Sequence, residues 1–239
     1  MRRVLCLLFL LGSPLFAQVR DKTTTIEADE VEYDGNQILL NGKVTLRNMM
    51  GVVKAGHAIL QRDLMGKCKI DFPYLELFEN VEATFSNKGT LFCEKVVCNY
   101  FTLKSHFTGT KELHYIDEKG EIFAREGSVE YEEKEHSIEP TKIILKGNVR
   151  LIHQAPTSQY ALADILEYYP KEDLVILKGE EGRRVLFFDR AKGMQLSALE
   201  VRAKRSGENG KEAIQGIGEV CFLFKEEELN KLKDRFQWK

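Results

Sequence analysis

Proline, cysteine and tryptophan are scarce in this sequence: five prolines, five cysteines and one tryptophan, Trp238, in 239 residues. With so few prolines and no Ser-rich or Gln-rich tract, no linker is evident, and the chain reads as one elongated domain. Familiar catalytic signatures are missing as well. There is no G-x-S-x-G, no phosphate-cradling glycine loop and no H-E-x-x-H. The histidines at 57, 106, 114, 136 and 153 are scattered, and none forms a close pair. Cys93-x4-Cys98 followed by His106 matches no common zinc spacing. Acid runs such as Glu132-Glu133 and Glu226-Glu227-Glu228 read as solvated faces rather than paired catalytic carboxylates. We therefore expect no enzyme, no cofactor and no metal. A formal net charge of −2 offers no field for gathering nucleic acid. A carbohydrate-active role would need an exposed aromatic platform or a carboxylate pair, and the lone Trp238 argues against a platform.

What is present begins with an export signal. Arg2 and Arg3 precede the apolar run Val4 to Leu11, then Gly12-Ser13-Pro14 and the small residue Ala17. That order describes a secretory signal peptide over residues 1–17. The run is too short for the roughly 20 apolar residues that span a bilayer. Cleavage after Ala17 has Leu15 where a small residue is usual, and it removes two positive charges. Cys6 lies too early to be a lipid-attachment cysteine. The remaining Cys68, Cys93, Cys98 and Cys221 face an oxidising compartment, where three complete pairings exist. Buried free thiols acting as small apolar residues fit equally well.

The chain is organised around Lys142 to Leu151. Ile143, Leu145, Gly147, Val149 and Leu151 alternate there with Lys142, Lys146, Asn148 and Arg150. Strict alternation predicts a strand with one dry face and one wet face. Gly147 marks a bend, a bulge or a close approach. The phrase recurs at Leu40-Gly42-Val44-Leu46. It recurs stretched at Leu177-Gly179 continuing to Val185-Phe187, and at Ile214-Gly216 continuing to Val220-Phe222. A partner phrase precedes the copies: Ile26-Ala28-Val31-Tyr33, Ala161-Ala163-Leu166-Tyr168 and Leu196-Ala198-Val201-Ala203. Weaker versions are Val53-Ala55-Ala58-Leu60, Leu91-Cys93-Val96-Cys98 and Ile122-Ala124-Gly127-Val129. The central gap of three flips the alternation, which a bulge or corner accommodates. Copies start near residues 26, 53, 91, 122, 161 and 196, about 34 residues apart on average, the signature of a repeat. Each unit reads as a kinked strand, a polar turn such as Asp34-Gly35-Asn36, and a glycine-bearing strand.

The repeat blurs over 63–85, where Pro73 fits an edge or strand-start position. From Thr90 to Phe107 strand character returns, with Gly109 closing that unit. Residues 225–239 change character again. Leu229, Leu232 and Phe236 share one helical face, so a short amphipathic helix is expected, lying over the end of the sheet.

The stretch IEADEVEYDGNQILLNGKVTL (26–46), with IILKGNVRL (143–151), resembles the OstA-like family, the periplasmic bridge of lipopolysaccharide transport. Its pattern of an Ala-Asp pair, an aromatic, then Leu-x-Gly-Asn-Val-x-Leu matches Ala28-Asp29, Tyr33 and Leu40 to Leu46. Ala163-Asp164 with Tyr168 matches it again. These phrases cover roughly half of the chain after residue 17. Lys43 departs from the pattern where the family has Asn, as do the insertion after Gly179 and the stretch 63–85. The resemblance implies an all-β fold over 18–224, a repeat-built antiparallel β-jellyroll, twisted, open-ended and solenoid-like. It implies a periplasmic carrier that shields the acyl chains of lipopolysaccharide, its lipid A moiety, between the inner and outer membranes. Leu40, Val44, Leu46, Leu145, Val149, Leu151, Val220 and Phe222 would line the groove. A filled core explains the same residues. Partners would be proteins of like fold at both membranes, or further copies of the chain, joined through edge strands. The alternative is an exported structural β-solenoid that assembles edge to edge without lipid cargo.

Overall fold

The computed structural model describes residues 25–48, 51–66, 72–85, 89–134, 138–153, 159–191, 193–206 and 211–224. The expected leader, Cys68 and the expected C-terminal helix lie outside them. The early strands are β1 (Thr25–Glu27), β2 (Glu30–Tyr33), β3 (Gln37–Asn48), β4 (Gly51–Gln61), β5 (Tyr74–Phe85) and β6 (Thr90–Asn99). Four long ones follow: β7 (Lys104–Asp117), β8 (Gly120–Glu133), β9 (Ile138–His153) and β10 (Gln159–Tyr169). A 3-10 turn at Pro170–Glu172 then leads to six shorter strands. These are β11 (Leu174–Lys178), β12 (Val185–Asp189), β13 (Met194–Ala198), β14 (Glu200–Ser206), β15 (Lys211–Ile217) and β16 (Cys221–Phe224).

All sixteen strands belong to one antiparallel sheet, wound as a meander in which each pass pairs with the next. Every pass breaks in its middle. The ladder slips at Asn41/Val44 between β3 and β4, at Lys54/His57 next, and so on to Ala163/Ile165 between β9 and β10. At the two ends of the sheet the break is complete, so β1 and β2, β11 and β12, β13 and β14, and β15 and β16 are the halves of single passes. The sheet is thereby creased along a line of corners into two walls. One wall contains 37–41, 57–61, 138–146, β11 and β15; the other contains 44–48, 51–54, 149–153, β12 and β16.

The walls face each other. Leu113 of one lies 3.5 Å from where a Cβ on Gly127 of the other would sit, and Leu196 lies 3.1 Å from that of Gly216. Between them one hydrophobic cluster runs from Leu40 to Ala203, drawing on every pass from β3 to β14. Complete burial stabilises by roughly 1.5–3 kcal/mol for each large aliphatic side chain. Both sequence phrases therefore describe inward rows. Val53, Ala55, Ala58 and Leu60 are all buried, as are Leu91, Cys93, Val96 and Cys98, with the gap of three falling on the corner. The period of about 34 residues is a pair of passes, the Ala phrase on one and the Gly phrase on the next.

The glycine of the Gly phrase is explained by its dihedrals. Gly42 and Gly147 have φ +72° and +78°, and the residues after them, Lys43 and Asn148, have +49° and +52°. Two successive left-handed residues turn the strand. L-residues other than Asn and Asp resist that region, so Gly-Asn is the natural pair for it. Glu79 and Asn80 (φ +69° and +53°) make the same corner without glycine, which is why the repeat fades over 63–85. Pro73 stands just before β5, which pairs on both sides, so it is a strand-start and not an edge proline. Gly109 does not close a unit. It sits in the corner of β7, where the ladder slips between Thr108 and Leu113 and Glu112 backbone lies 2.2 Å from its would-be Cβ.

Candidate functional site

The corners also carry the polar residues of the repeated phrases. Asp29 donates its backbone N–H to Gly42 carbonyl at 2.8 Å and covers that glycine, whose Cβ would fall 2.7 Å from Asp29 Oδ2. Glu79 covers Gly56 and Arg125 covers Gly147 in the same way. Asp164 accepts the Glu180 N–H at 2.8 Å and pairs with Arg183 at 3.0 Å. The outer crease is thus a row of small polar locks, among them Lys43 with Asp29 and His57 with Glu79. The Ala-Asp and Gly-Asn phrases are two halves of one corner.

Six of the eight residues expected to line a groove point inward and are buried: Leu40, Val44 and Leu46 on β3, and Leu145, Val149 and Leu151 on β9. Each strand supplies both walls, because its corner falls between the first of its three residues and the second. The other two stand at the end of the stack. Phe222 opposes the buried Leu196 and so belongs to the same inward face, yet it is 41 % exposed, and Val220 is 46 % exposed. No strand among the described residues pairs with the outer side of β15 or β16.

The first pass mirrors this. Ile26 opposes Leu46, and Val31 opposes Leu40, placing them on the inward face. Nevertheless Val31 is 59 % exposed and Tyr33, beside Ile38, is 56 % exposed. The apolar interior therefore reaches both ends of the stack uncovered by any described residue.

Between the ends the interior is packed. A void of about 10 Å³ lies between the walls, lined by residues such as Leu91, Leu113, Val129 and Leu145. It is no larger than the roughly 10–15 Å³ that one water requires. Farther from the corners the lining turns polar. Buried Gln159 donates from Nε2 to Asp189 Oδ2 at 2.9 Å, with His153 opposite Gln159 in register; on the other wall Ser105, Tyr131 and Tyr168 are buried. Depth at the corner line is hydrocarbon; the rim opposite carries hydroxyl, amide, imidazole and carboxylate groups.

Cys93 and Cys98 are both free, inward-facing and buried, and Cys221 is free and exposed. Burial pushes the Cys93 thiol up to about 12, and the Cys98 thiol up to about 11. They behave as small apolar side chains. Among the described residues no group of His, Cys, Asp or Glu is placed to hold a metal ion.

Reasoning from alternation missed the outer face of the second wall. His114 stacks on Phe123 with ring centroids 4.3 Å apart, Phe92 stacks on His114 at 6.0 Å, and the Arg150 guanidinium lies 4.4 Å from the Phe123 centroid. Arg150 also pairs with Glu112, and His114 lies 3.0 Å from Glu121. Along the same face Leu162, Tyr160 and Leu223 are exposed. An aromatic face thus exists without tryptophan. Its signal was apolar residues at both parities, as in Tyr160-Ala161-Leu162.

No protein-family model matches the chain, and no curated protein matches it. Among solved structures the chain is similar to LptH, "the LptA homologous periplasmic component of the conserved lipopolysaccharide transport device from Pseudomonas aeruginosa". That likeness has a TM-score of 0.45 and 5% sequence identity, covering 57% of this chain and 94% of that one.

Proposed function

We propose that this protein is a periplasmic carrier that shelters the acyl chains of lipopolysaccharide between the inner and outer membranes. The observation that carries the reading is the inward apolar row left uncovered at both ends of the stack, at Val31 and Tyr33 and again at Val220 and Phe222. An acyl chain of about a dozen methylenes loses roughly 10 kcal/mol of hydrophobic stabilisation in water, at about 0.8 kcal/mol per CH₂. Crossing an aqueous compartment therefore needs continuous apolar cover. A stack whose interior runs on past its own last strands supplies it when another stack of like fold joins the edge. The export signal over residues 1–17 and the OstA-like phrases agree with this reading.

The packed interior favours a second reading, a structural β-solenoid without cargo. Photo-crosslinking from position 149 separates the two. Under the carrier reading, a probe at Val149 labels lipopolysaccharide in the envelope, and lipid co-purifies with the protein through extraction and mass spectrometry. A folded probe variant that never labels lipid, with no lipid retained, leaves the structural reading.

A further inference from the structure

The outer faces of the two walls differ in kind. Outward positions of the first wall carry ion pairs: Lys95 with Glu76, Lys104 with Glu130, and Glu167 between Lys142 and Lys178. On the second wall Phe92, Ile116, Tyr160, Leu162 and Leu223 are exposed instead, spread from β6 to β16. Among the described residues no large apolar side chain is equally exposed on the outward face of a first-wall strand. Half-buried neighbours join the patch in register, Tyr160 lying between Ile152 and Phe188, and Leu162 beside Leu186. Contiguous apolar patches of this kind mark a surface that something covers. We propose that the cover is a second copy of this chain, docked second wall to second wall about a two-fold axis.

Charge and area both select a copy. The outward rows of this face hold Glu82 and Glu121 against Lys54 and Arg150, so neither sign prevails. Each charge is also answered on its own copy: Lys54 by Glu82 at 3.2 Å, Arg150 by Glu112, and Glu121 by His114 at 3.0 Å. A strongly charged partner finds no field to complement, whereas an identical face meets no like-charge penalty. His114 and Phe123 have both ring faces taken, by Phe92, by each other and by Arg150, so they leave no free face for a sugar ring to stack on. From β5 to β16 the wall is nine strands wide, or about 38 Å at roughly 4.8 Å per spacing. Its outward rows are about 15 Å deep, so two copies would bury about 1,100 Å². That clears the roughly 1,000 Å² a specific interface needs and stands at the low end, where association is reversible. An interface of one patch with itself closes as a dimer. It leaves the outer sides of β15 and β16 free, and it is independent of whether the interior carries lipid, since the patch lies outside the walls.

The test combines sedimentation equilibrium with hydroxyl-radical labelling over a range of protein concentration. As dimer forms, labelling of Tyr160 and Phe92 should fall several-fold, while Tyr33, at the end of the stack, and Phe101, in the turn after β6, keep their reactivity. Leu162→Lys stands beside Arg150, and Ile116→Glu beside Glu121, so no opposite charge opposite it in the ladder neutralises either substitution. Both positions are exposed, and each variant should weaken dimerisation about tenfold or more with the circular dichroism of the sheet unchanged. Phe101→Glu should leave dimerisation as it was. A protein that stays monomeric at every concentration overturns the proposal. So does association that shields Tyr33 and Phe222 but not Tyr160, because the copies would then meet through their edge strands. Association indifferent to both face substitutions overturns it as well. Shielding of Tyr160 in a monomer only on addition of phosphatidylcholine vesicles would make a lipid surface the cover, and the second copy would be excluded.

Discussion

Replacing Gly147 by alanine measures what a corner contributes. At φ +78° an L-residue enters the left-handed region, at a cost of roughly 1–2 kcal/mol. The new Cβ also meets Arg125 side-chain carbons at 2.9–3.0 Å. Arg125 is exposed and flexible, so it swings aside and adds only a few tenths of a kcal/mol, within the usual range for surface changes. Gly182→Ala is the matched control: φ is +77° and nothing lies within 4 Å of its Cβ, so strain acts there alone. Gly51 is the opposite extreme, with Thr84 carbonyl 2.1 Å from the would-be Cβ. The order of loss should be Gly182→Ala, slightly less than Gly147→Ala, and far less than Gly51→Ala. For a domain of this size, about 1–2 kcal/mol lowers Tm by roughly 2–8 °C. Urea denaturation followed by circular dichroism gives the free energies directly. Asparagine tolerates the left-handed region, as Asn148 does, so Gly147→Asn should recover part of the loss. If asparagine is no better than alanine at 147, backbone strain is not what holds glycine there, and the corner argument fails.

Val149→Ala removes two methyl groups from a packed site, so about 1.6 kcal/mol of transfer plus a cavity contribution gives roughly 2–3 kcal/mol by urea titration. A loss well under 1 kcal/mol would mean that the wall there is loose. Iodoacetamide at neutral pH should modify Cys221 readily, and Cys93 and Cys98 only on unfolding, because burial keeps both thiols protonated. Equal labelling in the native protein, by peptide mass spectrometry, would refute their burial. Hydrogen bonding from Lys95 holds Glu76 below its ordinary value of 4.5, while burial opposes it. Burial likewise works against Glu167, but bonds from Tyr169 and Lys178 and the Lys142 charge leave it lowered too. A lowered folded pKa contributes stability that is present above 4.5 and lost as pH falls through the folded value, so Glu76→Gln and Glu167→Gln should flatten the acid limb of the stability profile. An unchanged limb in both variants would count against these pairs.

The inward rows were legible because alternation is a local property, and each row is spelled out within one strand. The corner was legible too, as a change of parity beside a glycine, since both follow from backbone geometry. What alternation could not express was what covers what. Asp29 over Gly42 and Arg125 over Gly147 are contacts between neighbouring passes, and only the register of the ladder brings them together. The corner at Glu79 and Asn80 was hidden because residue types other than glycine hold the same dihedrals under tertiary constraint. The ends were hidden for a different reason. Val220 and Phe222 have the same inward parity as Val149 and Leu151, and their exposure depends on where the sheet stops rather than on anything local.

A packed interior and a carrier function are compatible if the walls can part, and the distribution of bonds says where they would. Among the described residues, backbone pairing runs within each wall and along the corner line. At the opposite rim no strand pairing joins the walls among the described residues. There the lining is polar: Gln159 and Asp189 on one wall, Ser105 and Tyr131 on the other. Parting the rim returns such groups to water, which offsets part of the packing lost, whereas opening the corner would break ladder hydrogen bonds outright. An acyl chain entering by the rim would lie along Val44, Val149 and their neighbours at the crease, with its polar end among hydroxyl and amide groups. Each methylene buried adds about 0.8 kcal/mol, so a dozen of them rival the contacts displaced. Saturated chains of increasing length should accordingly bind with affinity rising by somewhat less than that per methylene, because displaced side-chain packing is subtracted. Affinity independent of chain length, measured by calorimetry below the critical micelle concentration, would mean that the hydrocarbon never reaches the crease.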